Sequence, residues 1–223
     1  MHVPEPLKRK LAELSQPTDS TVRSYLTLRK LIGILGVALP FVMVLGAQWV
    51  FHDGPQRTIS DYYYTGMRDV FVGILWAIGI FMVCYKGTRE LENKASNLAG
   101  ACAILVSLFP TTQPSTACPV VNDVSKLHYA FAVLFFLTIT LMALFLFKNR
   151  GDRSRVPNAV YRFCGGTMAA CLLWMLIAGV GFWAEAIAVV AFGIAWLVDG
   201  IGGLKDPRDR PQPGKPETRS AFA

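Results

Sequence analysis

The chemically versatile side chains of this sequence gather at the edges of its apolar runs. Ser60 and Asp61 lie in a tyrosine-rich polar segment, Arg68 and Asp69 open one run, Lys126 and His128 open another, and Glu185 opens a third. Together they offer carboxylate acceptors, an imidazole that can carry a proton near neutral pH and two cations that can hold an anion. With His128 as general base and Asp61, Asp69 or Glu185 orienting it or holding a cation, the set suits a hydrolase or transferase. Used without chemistry, the same residues suit a binding site. Arg68 and Lys126 would attract an anionic head, and Asp61 and Glu185 would orient it.

Most cofactor-dependent activities find no support. The chain has only 3 histidines, His2 in a basic tail plus His52 and His128, with no tight spacing of the kind that catalytic zinc sites use. A Ser60–His128–Asp triad would require a meeting that no local spacing indicates. There is no Gly-rich phosphate loop, no haem-attachment signature, and no lysine in the last apolar run to carry a retinal. A carboxylate site for a harder cation is the one metal reading left open, and neither a metal nor a cofactor is expected.

These residues are positioned by six apolar stretches: Leu31–Phe51, Val70–Tyr85, Leu98–Phe109, Leu127–Phe147, Ala159–Phe182 and Ala184–Leu204. An apolar segment of about 20 residues crosses roughly 30 Å of hydrocarbon, so the sequence predicts an all-α bundle of six transmembrane helices. Of the 22 Lys and Arg residues, only Arg57, Arg68 and Lys126 fall on one side of that arrangement. Basic residues near span ends resist translocation. Both termini are therefore expected in the cytoplasm, and the site residues at the outer face of a plasma membrane, an inner membrane of bacterial type.

Residues 1–25 form a cytoplasmic tail in which Leu7, Leu11 and Leu14 beside Lys8–Lys10 suit either a helix on the inner leaflet or a solvated segment. The membrane domain covers residues 26–204, and the Pro-rich charged residues 205–223 cannot bury enough apolar area to order themselves. No soluble domain has room. The net charge of +7 belongs to the cytoplasmic face, where anionic lipid headgroups are its natural partner. Basic residues without interleaved aromatics make nucleic acid an unexpected partner. No cleavable signal is evident at the start of the chain. Cys118 alone of the 5 cysteines lies outside the spans, so it is either a free thiol or a link between copies.

Local patterns refine the picture. Pro40 predicts a kink in span one, and the third helix should start near Leu91. Ala99, Gly100, Ala101 and Ala103 in span three, and Gly165, Gly166, Ala169 and Ala170 in span five, permit close helix approach. Spans five and six should turn at Phe182–Ala184. In span six, Glu185, Val189, Phe192, Trp196 and Asp199 follow helical spacing and form one stripe. Its two carboxylates stand about 21 Å apart at ~1.5 Å per residue, so the stripe should face the protein interior. Asp199, beside Gly200 and close to Lys205, reads as an interface residue.

The Ile59-Ser60-Asp61 signature, the Arg68-Asp69-Val70-Phe71-Val72-Gly73 opening of span two, the Leu127–Phe136 opening of span four and Glu185 at the start of span six resemble a known class. That class is the six-span superfamily containing the DRAM, Sfk and Frag-type membrane proteins and bacterial relatives of unknown function. The resemblance covers roughly residues 26–204 and marks Ser60, Asp61, His128 and Glu185 as the family-pattern polar positions. It implies membrane-lipid handling more than a defined reaction. A comparison with ceramidase-like membrane hydrolases, which hold zinc with several intramembrane histidines, fails because only His128 is available.

The expected function is therefore a multi-pass membrane protein with a polar cavity open to the outer leaflet, formed where spans two, four and six meet and binding a lipid or other amphiphile. Binding is favoured over catalysis. The alternatives are an intramembrane hydrolase or transferase built on His128, Asp61 and Glu185, or a small transporter or accessory subunit. Partners would be membrane lipids and, through the Gly/Ala faces, a second copy or another membrane protein.

Overall fold

The computed structural model describes residues 19–87, 89–113, 123–147 and 155–202. Among these it contains six long helices and no strand. They are α1 (Asp19–Gly46), α2 (Arg68–Cys84), α3 (Glu90–Leu108), α4 (Asp123–Leu141), α5 (Arg155–Ala178) and α6 (Phe182–Gly202). Wider π-helical turns extend α1 over Ala47–Phe51 and α4 over Met142–Leu146. A short 3-10 turn, Ser60–Tyr64, sits in the α1–α2 connection. Residues 1–18, 203–223 and Cys118 lie outside the described residues, so the tail and thiol readings fall there.

Four helical segments, Leu26–Phe51, Asp123–Leu146, Asn158–Ala178 and Phe182–Ile201, are long and apolar enough to cross a membrane. Their outward surfaces agree. α5 exposes Phe163, Leu173, Trp174, Leu176 and Ile177, several large apolar side chains on one helix, as a lipid-facing surface allows.

Each helix packs on its neighbours in sequence, and α6 closes back onto α1. The result is a ring of six helices around one core, and α6 is flanked by α1 and α5. The predicted stripe of α6 faces inward: Glu185, Val189, Phe192, Trp196 and Asp199 are all buried. Trp196 is the hub of the core, in edge contact with Tyr85, Phe147 and Phe192 at centroid distances of 5.0, 5.4 and 6.2 Å.

The α1–α6 contact is the most extensive, because glycines bring the two backbones together. A Cβ at Gly193 would stand 2.6 Å from the Val37 backbone nitrogen and 2.7 Å from the Gly33 carbonyl oxygen. Only a residue without a side chain permits that approach. Gly100 of α3 meets Gly79 of α2 in the same way, which gives the small-residue face of span three its partner. In α5, Gly165 packs on Leu144 while Gly166 meets open space.

The turn between α5 and α6 differs from the expectation. Phe182 and Trp183 already belong to α6, and the chain reverses at Gly179–Gly181, where Gly179 has φ +92°. A left-handed residue ends a helix at little cost only when it lacks a Cβ, so the Gly-Val-Gly sequence is the reversal signal. The start of α3 at Glu90 lies one residue before the predicted Leu91.

Candidate functional site

The α1–α2 connection is built from short-range bonds that fix its side chains. At the end of the π-helical turn, His52 adopts a left-handed conformation (φ 57°). Its N–H, and that of Asp53 at 2.9 Å, donate to the Ala47 carbonyl oxygen. A non-glycine residue held there costs of order 1–3 kcal/mol, so surrounding bonds must hold it. One of them is the Gly66 N–H, which donates to Asp53 Oδ2 at 3.0 Å. Further along, the Thr58 hydroxyl accepts from the Asp61 N–H at 3.0 Å and starts the 3-10 turn.

Three residues per 3-10 turn send successive side chains in three directions, and the tyrosine run follows that rule. Tyr62 points inward and is buried. The Tyr63 hydroxyl accepts from Arg68 Nη2 at 2.8 Å, with the guanidinium 4.6 Å from its ring centroid. The Tyr64 hydroxyl donates to the Thr111 carbonyl oxygen at 2.6 Å, which ties the loop to the α3–α4 connection.

Glu185 anchors this loop to α6. Its Oε2 accepts from the Ile59 N–H at 2.6 Å and from the Ser60 N–H at 3.3 Å. The exchange is reciprocal, because the Phe182 N–H donates to the Arg57 carbonyl oxygen at 2.7 Å and so satisfies one of the unpaired donors at the start of α6. His128 does the matching task for α3. Its Nδ1 lies 3.0 Å from the Val106 carbonyl oxygen and 2.7 Å from that of Phe109. Both partners are acceptors, so Nδ1 carries the proton and caps the end of that helix.

The structure thus brings Asp61, His128 and Glu185 into one buried cluster beside half-buried Ser60, with Asp61 close enough to feel the charges of both His128 and Glu185. It does not bring Arg68, Asp69 or Lys126 there. All three are exposed; Arg68 is held by Tyr63, and Lys126 pairs with Asp123 at 2.9 Å. Among the described residues, no three His, Cys, Asp or Glu side chains come together as a metal site would require.

Burial pushes the Asp61 carboxyl above its ordinary value of 3.8, against the opposing effects of Thr58 hydrogen bonding and of the Arg57 and His128 charges. The folded state therefore takes up this proton more readily than the unfolded chain. The contribution of Asp61 to stability is most favourable below about pH 4 and is lost as pH rises through the folded value. Asp61→Asn is expected to raise the unfolding temperature at pH 7 and to change it little at pH 4. Thermal unfolding in mild detergent at the two pH values checks this; a gain confined to pH 4 would refute the sign.

The open space lies elsewhere. A groove of about 1060 Å³ runs along the outer surface of α6 between α1 and α5. Its walls are Pro40, Phe41, Val44 and Leu45 from α1, Val160, Phe163 and Thr167 from α5, and Ile187, Val190 and Ile194 from α6. Pro55, Gln56 and Tyr62 of the anchored loop close one end. A second cavity of about 350 Å³ adjoins it, sharing Val44, Pro55 and Tyr62 and adding Gln48, His52, Asp53 and Gly54. Asp61, His128 and Glu185 line neither space; they hold the loop that does. Sequence reasoning missed the groove, whose lining is almost wholly apolar.

A second buried polar group occupies the far end of the ring. Arg29 Nη1 lies 3.2 Å from Asp199 Oδ2, the Tyr161 hydroxyl donates to Asp199 Oδ1 at 3.4 Å, and the Arg29 guanidinium sits 4.9 Å from the Tyr85 ring centroid. Asp199 is fully buried, so its carboxylate serves a core ion pair.

Comparison with known proteins returns no matching family model, no matching curated protein and no matching solved structure.

Proposed function

We propose that this chain is a six-span membrane protein of the plasma membrane, with both termini cytoplasmic, that holds a membrane amphiphile in the α1–α5–α6 groove. Four helices qualify as spans by length and composition alone. α2 has 17 residues and rises about 26 Å, near the ~30 Å of hydrocarbon. α3 completes the ring between α2 and α4 and, with charged residues only in its first turns, crosses with them. The distribution of basic residues places the Ser60–Tyr64 loop outside, and exposed Trp49 and Trp183 at that end suit the headgroup level.

The observation that carries the reading is the adjacency of two spaces of different character. An almost wholly apolar groove in the hydrocarbon zone meets a smaller cavity in the loop above it, where Gln48, His52 and Asp53 add polar groups to an otherwise apolar lining. An amphiphile has the same two parts in the same order. The Asp61–His128–Glu185 cluster lines neither space; its Glu185 oxygen and His128 Nδ1 proton serve backbone groups, so it holds the loop that closes the groove.

The test is lipid retention. Protein extracted in a mild detergent should carry a bound lipid in native mass spectrometry, and Ile187→Trp, which fills the groove from an exposed position, should reduce its occupancy several-fold without loss of folding. A folded protein that carries no lipid, or equal occupancy in Ile187→Trp, would end the proposal.

A further inference from the structure

The adjoining cavity has a defined charge pattern. Among the described residues Asp53 is its one carboxylate, and no Lys or Arg lines either it or the groove. The basic residues at this end are occupied elsewhere: Arg68 on Tyr63, Lys126 with Asp123, and Arg57 beside Asp61. Gln48 and His52 supply side-chain N–H groups in the same cavity. A carboxylate next to an amide and an imidazole is complementary to a dipolar head, with the cation on Asp53 and the anionic group on the N–H donors. It is a poor match for a head whose net charge is negative, since Asp53 would repel it with no buried cation to offset the cost.

The backbone of His52 and Asp53 and the Asp53 carboxylate are held in place by hydrogen bonds. His52 and Asp53 hang from the Ala47 carbonyl oxygen through their own N–H groups. Asp53 is braced by the Gly66 N–H on Oδ2, which leaves the carboxylate further lone-pair sites for a donor. An ammonium with three N–H donors suits such an oxygen pair, and a charge-assisted bond there is stronger than a neutral one.

We infer that the amphiphile held in the groove is a zwitterionic phospholipid bearing a primary ammonium, seated with the ammonium on Asp53 and the phosphate beside Gln48 and His52. This rests on the groove being a lipid site and names the head that the site selects.

The full chain in mild detergent, or in lipid nanodiscs, is offered equimolar phosphatidylethanolamine and phosphatidylglycerol of identical acyl chains, and bound lipid is counted by native mass spectrometry. Wild type should retain the ethanolamine lipid about 5- to 10-fold over the glycerol lipid, the scale of one partly exposed charged hydrogen bond. Asp53→Asn should bring the ratio close to one while total lipid stays bound. Gln48→Lys, at an exposed position that does not threaten folding, should turn the preference toward the glycerol lipid. Equal retention of both lipids by wild type, or an unchanged ratio in both variants, overturns the head assignment and leaves the groove intact. Failure of wild type to retain either lipid overturns the groove reading itself.

Discussion

Replacing Asp199 by Leu, or Arg29 by Met, is expected to destabilise the protein by about 3–5 kcal/mol, the usual cost of leaving one charge of a buried pair uncompensated. Both side chains are almost wholly enclosed, with side-chain exposures of 10% for Arg29 and 0% for Asp199. Removing either one takes the ion-pair partner from a buried charge and leaves it weaker contacts, such as the Tyr161 hydroxyl at Asp199 or the Tyr85 ring at Arg29. The double variant Arg29→Met/Asp199→Leu should recover most of the loss, because desolvating both ions costs nearly as much as their attraction returns. Among the described residues Arg29 Nε has no hydrogen-bond partner, which weakens the native pair and favours recovery in the double variant. Unfolding of all four proteins in one detergent gives the coupling energy by a double-mutant cycle. Single variants that each cost under about 1 kcal/mol and simply add would show the pair to be inessential.

The pair also bears on the groove. It ties α1 to α6, the same two helices whose backbones meet at Gly33 and Gly193 and whose outer surfaces line the groove. Glycine contact holds them close along their middle, and the ion pair holds them at the far end. The groove opens on the other side of α6, where the Leu144-against-Gly165 contact draws α5 toward α4. A wall on α1 and a wall on α5 are thus each fixed by contacts that face away from the groove.

The helices were legible because an apolar run of spanning length has few other readings: four of the six starts fall within four residues of the predicted runs, and α3 begins at Glu90, beside the start expected near Leu91. The exception is α1. Its helix begins at Asp19, well before Leu31, because polar residues such as Arg29 continue the helix while pairing inside the bundle. The inward stripe of α6 was legible for the same periodic reason. What the chain order alone does not specify is which distant helix closes the ring. The α1–α6 closure gives Asp199 its Arg29 and Gly193 its Gly33, and both pairings join residues more than 150 positions apart. The site residues at the ends of α4 and α6 were legible as a group, since any antiparallel bundle returns even-numbered starts to one end. Their surroundings were not: a loop whose own N–H groups reach Glu185 fills the space that the residues were expected to line. The groove was invisible because it is made of ordinary apolar residues, distinguished only by the separation of α1 from α5.

Glu185 is the residue on which that loop depends. Glu185→Ala removes the acceptor for the Ile59 and Ser60 N–H groups, in a buried setting where each unsatisfied donor costs about 1–3 kcal/mol. The two together set an expected loss of about 2–4 kcal/mol, charged first to local opening of the loop and only then to the bundle. Glu185→Gln keeps a carbonyl acceptor and removes a negative charge beside Asp61, so its cost should be near 1 kcal/mol. Trypsin reads the difference, because Arg57 is exposed yet its carbonyl oxygen is held by Phe182. A local loss of about 2 kcal/mol raises the open population ~30-fold, and cleavage after Arg57 should accelerate by that factor in Glu185→Ala and by less than about tenfold in Glu185→Gln. Because Pro55, Gln56 and Tyr62 ride on the same loop and close the groove, lipid retention should fall in the same order as cleavage rises. Cleavage at the wild-type rate in Glu185→Ala would mean that the loop is held by Tyr64 and Thr111 instead, and the carboxylate would have to be assigned another task.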